Sequence, residues 1–192
     1  ALYYGIYSET QSLGREGSPA DEKAYFELLP LVHFRGLSRI LYPEISRDFV
    51  LNLLEVLVNS FYYKNLAGAV LDELPYPDFV AEMADFLLRV RNMTWSICLG
   101  TYEDVLYVSL RSRRLRANAG KLLRNVIPAA GTAGGHDLIA GAQVRVDGKE
   151  SDRVQTIKKE IIQKILARLN RTEVRTLFNL VTGQEYPFLE TP

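Results

Sequence analysis

The chain has 192 residues, with 23 Lys and Arg balanced by 23 Asp and Glu and 47% hydrophobic residues, the composition of a globular protein and not of a disordered or uniformly basic one. No stretch reaches the roughly 18–20 uninterrupted apolar residues of a spanning helix, the opening residues show no basic segment leading into an apolar run, and a cytoplasmic protein is expected. The single cysteine, Cys98, excludes an intramolecular disulfide framework, a multi-cysteine zinc site and a CxxC redox motif.

In chain order, Ala1 to Ser8 is an apolar and aromatic run that reads as a buried strand, so abrupt that Ala1 is expected to be a boundary inside a longer chain. Ser18-Pro19-Ala20-Asp21 offers an N-cap, a proline at the first helical position and an early acid, which predicts a helix from Pro19 to Leu29. A shorter amphipathic stretch follows from His33 to Leu41. Phe49, Val50, Leu53, Leu54, Leu57 and Phe61 then recur at helical spacing and predict a long connecting helix capped by Ser46 and ending near Tyr63.

From Leu66 the pattern is strand, then helix after Pro77-Asp78, then strands over Thr94 to Thr101 and Val105 to Leu110 joined by a hairpin turn at Tyr102-Glu103-Asp104. A helix is expected from Ala117 to Ile127, a strand over Ala142 to Val146, and a long amphipathic packing or dimer helix from Asp152 to Leu169. A second short helix is expected from Glu173 to Val181. Strands alternating with helices give an α/β (α+β) class, a mixed β-sheet flanked by helices.

The charges are segregated. Acids occupy Asn65 to Leu88 without Lys or Arg, whereas Arg111 to Arg124 is basic without an acid, a block able to attract an anion. Period-two alternation places Ser109, Arg111 and Arg113 on one face of a strand; Arg111 brings a planar fork suited to phosphate, and Ser109 or Ser112 adds a hydroxyl. Arg114 and Arg116 read first as a solvated hairpin end. Gly134-Gly135-His136 reads as paired glycines at a helix entrance, where backbone N–H groups approach an anion closely and a histidine can donate to it or shuttle a proton.

The stretches VSLRS (108–112), RANAGKLLR (116–124) and AGGHDLIAGAQV (133–144) resemble the C-terminal DHHA1 domain of the DHH phosphoesterases, whose hallmark is a GGGHxxAAG-type loop; here Ala133 replaces the first glycine and the last part reads Ile139-Ala140-Gly141. Upstream, Gly5-Ile6-Tyr7-Ser8-Glu9-Thr10 resembles the last metal-binding motif of the DHH domain, GIxTDT, with Glu9 in place of the usual aspartate. The resemblance implies three parts: a mainly helical end of the DHH catalytic domain over 1–45, a connecting helix over 46–64, and a DHHA1 substrate-binding domain over 65–192.

It further implies substrate binding by Ser109, Arg111, Ser112, Arg113, Asn118, Gly134, Gly135 and His136, with Glu9 as a metal ligand. No complete catalytic set is expected in this chain. The DHH triplet and the other early metal motifs are not in these residues, so divalent ions, manganese by the resemblance, are expected to be held by the intact enzyme and not by this chain alone. The expected function is the substrate-binding C-terminal part of a metal-dependent phosphoesterase acting on short oligonucleotides or nucleoside bisphosphates, in the oligoribonuclease, pAp phosphatase and exopolyphosphatase-related branch. The expected partners are a phosphorylated nucleotide or short RNA or DNA, a missing N-terminal DHH domain, no membrane, and a homodimer mate. The alternative is a non-catalytic nucleic-acid or nucleotide-binding module, as at the end of alanyl-tRNA synthetases.

Overall fold

The structure, a computed structural model, describes residues 1–14, 17–146, 151–170, 174 and 176–189. The chain divides into two compact units, 1–46 and 47–192. Among the described residues no helix is long and apolar enough to cross a membrane.

The first unit is helical. Helix α1 spans Leu2–Glu9, α2 spans Pro19–Leu28 and runs into a 3-10 turn over Leu29–Leu31, and α3 spans Phe34–Leu41. The strand expected over Ala1 to Ser8 is therefore a helix. Its tyrosines fall one turn apart, and the Tyr3 ring packs on Tyr7 and, at 4.7 Å between centroids, on Tyr25 of α2, so the aromatic run is used at helical spacing. Helix α2 begins as its sequence requires: Ser18 Oγ accepts from the Asp21 N–H, and the Asp21 carboxylate accepts from the Ser18 N–H at 2.9 Å, a reciprocal capping box. The Ser18 hydroxyl, which donates to Asp21 Oδ2 at 2.7 Å, and then the Ser18 N–H hold the Asp21 carboxyl below its ordinary range. His33 caps α3, its Nδ1 accepting from the Gly36 N–H at 3.1 Å.

The second unit opens with helix α4, Arg47–Val58, and then forms one mixed sheet from β1 (Ser60–Tyr63), β2 (Leu66–Glu73), β3 (Trp95–Tyr102), β4 (Val105–Ser112), β5 (Gly131–Gly135), β6 (Ile139–Arg145), β7 (Leu177–Asn179) and β8 (Glu185–Tyr186). The strand order is β5-β6-β4-β3-β2-β1-β7-β8. Helix α5 (Phe79–Leu88) carries the crossover between the parallel strands β2 and β3, and α6 (Ala119–Arg124) and α7 (Ser151–Asn170) complete the unit. This is an α/β architecture, a mixed sheet flanked by helices.

Three expected helices come out differently. The connecting helix stops at Val58, because Ser60 Oγ donates to Leu57 O and Asn59 Nδ2 to Glu55 O, and the aromatic Ser60–Tyr63 run pairs with β2 across a Lys64-Asn65 turn in which Lys64 has φ 52°. The helix expected over Ala117 to Ile127 is only Ala119–Arg124. The short helix expected from Glu173 to Val181 falls partly on 173 and 175, outside the described residues, and the remainder forms strand β7 and a turn.

Alternation along the strands builds two cores. Ala67, Ala69, Leu71 and Cys98 face α4 and α5, where they meet Val56, Phe79, Met83 and Leu87. Ile97, Leu99, Leu106, Val108, Leu110 and Val144 face the other way, against Leu123 of α6 and Ile161, Ile162 and Ile165 of α7. Burying each such side chain stabilises the fold by on the order of 2 kcal/mol. Helix α5 lies mainly over β3 and β4 and only marginally over β2; the same face of β6 and β5 is left to small residues.

Candidate functional site

That uncovered face is a cleft of about 660 Å³. The register explains its shape. Ser109 on β4 pairs with Gly141 on β6, which pairs in turn with Gly134 on β5, so one row across three strands is a hydroxyl followed by two bare α-carbons. A Cβ built at Gly134 meets no atom within 4 Å, and one at Gly141 meets only Val108 O at 3.9 Å. Both positions therefore open onto space that any side chain would fill. The row above carries Arg111 opposite Ile139, the row below Tyr107 opposite Gln143, and Pro77, Asp78, Val80 and Ala81 at the start of α5 form a wall.

Two polar groups give the cleft its chemistry. Ser109 is 3% exposed and its Oγ has no hydrogen-bond partner, a state that costs about 1–3 kcal/mol unless a ligand or solvent satisfies it. The Arg111 side chain is 9% exposed; its Nε donates to Asp85 Oδ1 of α5 at 3.0 Å, and its Nη1 donates to Leu110 O and Ala140 O at 3.3 and 3.4 Å. Nη2 is left without a partner among the described residues. The guanidinium is thus held through Nε and Nη1, and it lines the same cleft as the unpaired Ser109 hydroxyl and the two glycines. An anion with several oxygens fits that donor set, because charge-assisted bonds from a fixed guanidinium are stronger than neutral ones.

The remaining sequence candidates are placed otherwise. Gly134 is in the cleft, but Gly135, the last residue of β5, and His136 after it are outside the cleft lining, and His136 is exposed. The expected helix entrance at the paired glycines is a β-hairpin instead. Ile139–Arg145 alternates buried and solvent-facing positions with period two, and β6 is paired on both sides, which leaves no helix for the glycines to precede.

Gly135 has a structural reason for being glycine. Its φ is 129°, and a Cβ there would lie 2.2 Å from Ile139 O. The loop after it clamps α6: the Asp137 carboxylate accepts from the N–H groups of Arg116 and Asn118, both at 2.9 Å, and His136 O accepts from the Gly120 N–H. Asn118, in a left-handed conformation, is exposed and bonds Arg116 O. Ser112 lies on the opposite side of β4 from Ser109, its Oγ donating to Thr94 O and accepting from the Arg114 N–H. Arg113 is exposed beyond the end of β4.

Glu9 is exposed at the end of α1. Among the described residues no group of three or more His, Cys, Asp or Glu is arranged to hold a metal ion, so a two-metal centre does not fit the donor set around Glu9. Asp78 and Asp85 lie in the acid run from Asn65 to Leu88, which was their signal in the sequence, whereas Asp137, next to His136, carried none that set it apart.

No family model matches the chain. It is 32% identical over 173 residues to an uncharacterised protein of Methanocaldococcus jannaschii, an alignment covering 86% of this chain and 35% of that protein. In structure it is similar to an exopolyphosphatase-related protein from Bacteroides fragilis, with TM-score 0.63 and 17% identity over 87% of this chain and 49% of that one. RecJ from Thermus thermophilus gives TM-score 0.45 at 15% identity over 90% of this chain and 25% of that one. The chain therefore spans about a third to a half of the length of the first two relatives. The mixed sheet that carries the VSLRS strand and the GGH hairpin thus has the fold of the part of the Bacteroides fragilis exopolyphosphatase-related protein that it matches.

Proposed function

We propose that this chain is the substrate-binding part of a metal-dependent DHH-family phosphoesterase, and that its cleft takes a phosphate group of a short oligonucleotide or a nucleoside bisphosphate. One observation carries the reading: Ser109 Oγ, buried and unpartnered, and a fixed Arg111 two residues along the same face of β4 line one cleft whose floor two glycines leave bare. A phosphate satisfies both donors without breaking the bonds that position Arg111. The fold shared with the exopolyphosphatase-related protein supports the reading. The metal chemistry, manganese by resemblance, is assigned to parts of the whole protein outside this chain, and no hydrolytic step is derived for the residues present.

Calorimetry with a nucleoside 3′,5′-bisphosphate tests it. Binding is expected with a dissociation constant of about 0.1–1 mM, equivalent to roughly 4–5.5 kcal/mol. Arg111→Ala should weaken it about 10- to 100-fold through loss of a charge-assisted contact. Ser109→Ala should weaken it several-fold while leaving the melting temperature unchanged or higher, because the hydroxyl it deletes has no internal partner. No binding by the wild type, or unchanged binding by both variants, refutes the assignment.

A further inference from the structure

Asp85 lies outside the cleft lining yet holds its cation. Arg111 and Asp78 are the charged residues of the lining, and Arg111 Nε donates to Asp85 Oδ1 on α5 at 3.0 Å. The register places that carboxylate. Ser96 on β3 is directly opposite Arg111 on β4, and the two side chains reach consecutive residues of α5. Ser96 Oγ donates to Ala84 O at 2.6 Å, with both residues fully buried, while Arg111 takes the carboxylate of Asp85. The Ser96 bond fixes the rotation and height of α5 on the sheet without entering the cleft, so the Asp85 carboxylate is in place before any ligand arrives.

A guanidinium buried as deeply as that of Arg111 is costly unless a carboxylate and further acceptors meet it. The two carbonyls on Nη1 accept at 3.3 and 3.4 Å, longer than a charge-assisted bond, so the shorter Asp85 bond is the one that sets the plane of the fork. It also offsets the charge that the fork presents. Asp85 is half-exposed and screened by water, which makes the offset partial. With Asp78 on the wall there are nevertheless two carboxylates for one cation. Such a site bonds an anion through directed donors and gains little from further negative charge on the ligand.

We propose that Asp85 is a positioning residue of the cleft, which aims the Arg111 guanidinium through Nε and attenuates its charge. The proposal rests on the reading of the cleft as an anion site, and adds a residue that acts on the ligand only through Arg111.

Two measurements on the full chain test it, with Asp85→Asn, whose amide oxygen still accepts from Nε, and Asp85→Ala, which has no acceptor. NMR of the ligand-free protein reads the aim. The Arg111 Nε–H should be protected from solvent exchange in the wild type and in Asp85→Asn, and should exchange about tenfold faster or more in Asp85→Ala. Calorimetry reads the charge, with a nucleoside 3′,5′-bisphosphate and a singly charged dinucleoside monophosphate as probes. Asp85→Asn should raise the affinity for the first relative to the second about threefold or more, because removing a carboxylate favours the more highly charged ligand. Asp85→Ala should raise the same ratio but bind both probes roughly three- to tenfold more weakly than Asp85→Asn, since its guanidinium is no longer aimed. A role in packing alone would move both probes alike and leave the ratio where it was. Unchanged Nε–H exchange in Asp85→Ala, or an unchanged ratio in Asp85→Asn, overturns the proposal. Binding of neither probe by the wild type refutes the cleft reading and takes the proposal with it; a protected Nε–H then locates the failure in the cleft and not in the Asp85 bond.

Discussion

Lys158 is a charge placed where charge is expensive. Its side chain is 1% exposed on α7, its Nζ donates to Leu71 O at 2.8 Å, and its ionic partner Asp72 lies 3.5 Å away but 85% exposed. Removal from water dominates and holds its pKa below the ordinary 10.5, with Asp72 opposing. The unfolded chain keeps this lysine protonated up to about 10.5, whereas the folded chain releases the proton earlier. Over that interval the unfolded state binds more protons, so this residue makes stability rise with pH. Cys98 works the other way, because burial pushes its thiol up to about 12 while an unfolded thiol ionises near 8.5. The test is therefore the difference between wild type and Lys158→Met. Urea midpoints measured at pH 8 and pH 10 should show the wild type gaining on the variant as pH rises, and a constant difference would mean that Lys158 does not titrate between them. At pH 7 a Met of similar length removes the donor to Leu71 O, and the cost of that unpaired carbonyl, about 1–3 kcal/mol, sets the offset between the two proteins.

At the scale of elements, the hairpin β5–β6 separates two kinds of glycine that look alike in sequence. Gly134→Ala adds a methyl into open space, whereas Gly135→Ala forces a Cβ onto Ile139 O with a φ that L residues rarely adopt. Gly134→Ala should melt within a degree or two of the wild type and lose bisphosphate affinity about tenfold or more. Gly135→Ala should lose at least 2 kcal/mol of stability, in the range of strained backbone sites; equal melting temperatures for the two variants would contradict the geometry. Sequence made Gly134 and Gly135 equivalent because spacing alone does not report φ. The same limit explains what else was and was not legible. Strands β2, β3 and β4, the crossover helix α5 and the Glu103-Asp104 turn were readable, since alternation, a proline entrance and turn residues all agree there. The strand–helix confusion in Ala1 to Ser8 and the overlong α4 come from short aromatic runs that satisfy both periods. In the cleft, Ser109 and Arg111 were found by alternation within one strand, while Asp85 comes from another element and depends on register.

The whole molecule is uneven in how it buries its residues. In the 1–46 unit only Tyr3 and Thr10 are buried among the described residues, and Leu2, Leu31, Phe34, Ile40, Tyr42 and Ile45 are 54–80% exposed. The 47–192 unit holds both cores, the whole sheet and every residue of the cleft. Stability follows buried apolar surface, and a segment of about 45 residues without a core does not repay its conformational entropy. The 47–192 unit is therefore expected to fold alone, to unfold in one cooperative transition and to bind the bisphosphate with the affinity of the full chain. In the full chain, hydrogen exchange should protect amides of β2, β3 and β4 up to the global unfolding free energy, while amides of α1–α3 exchange through local opening at a much smaller free-energy cost. Uniform protection along the chain, or a 47–192 fragment that fails to fold, would show that the first unit supplies stability that its burial does not reveal.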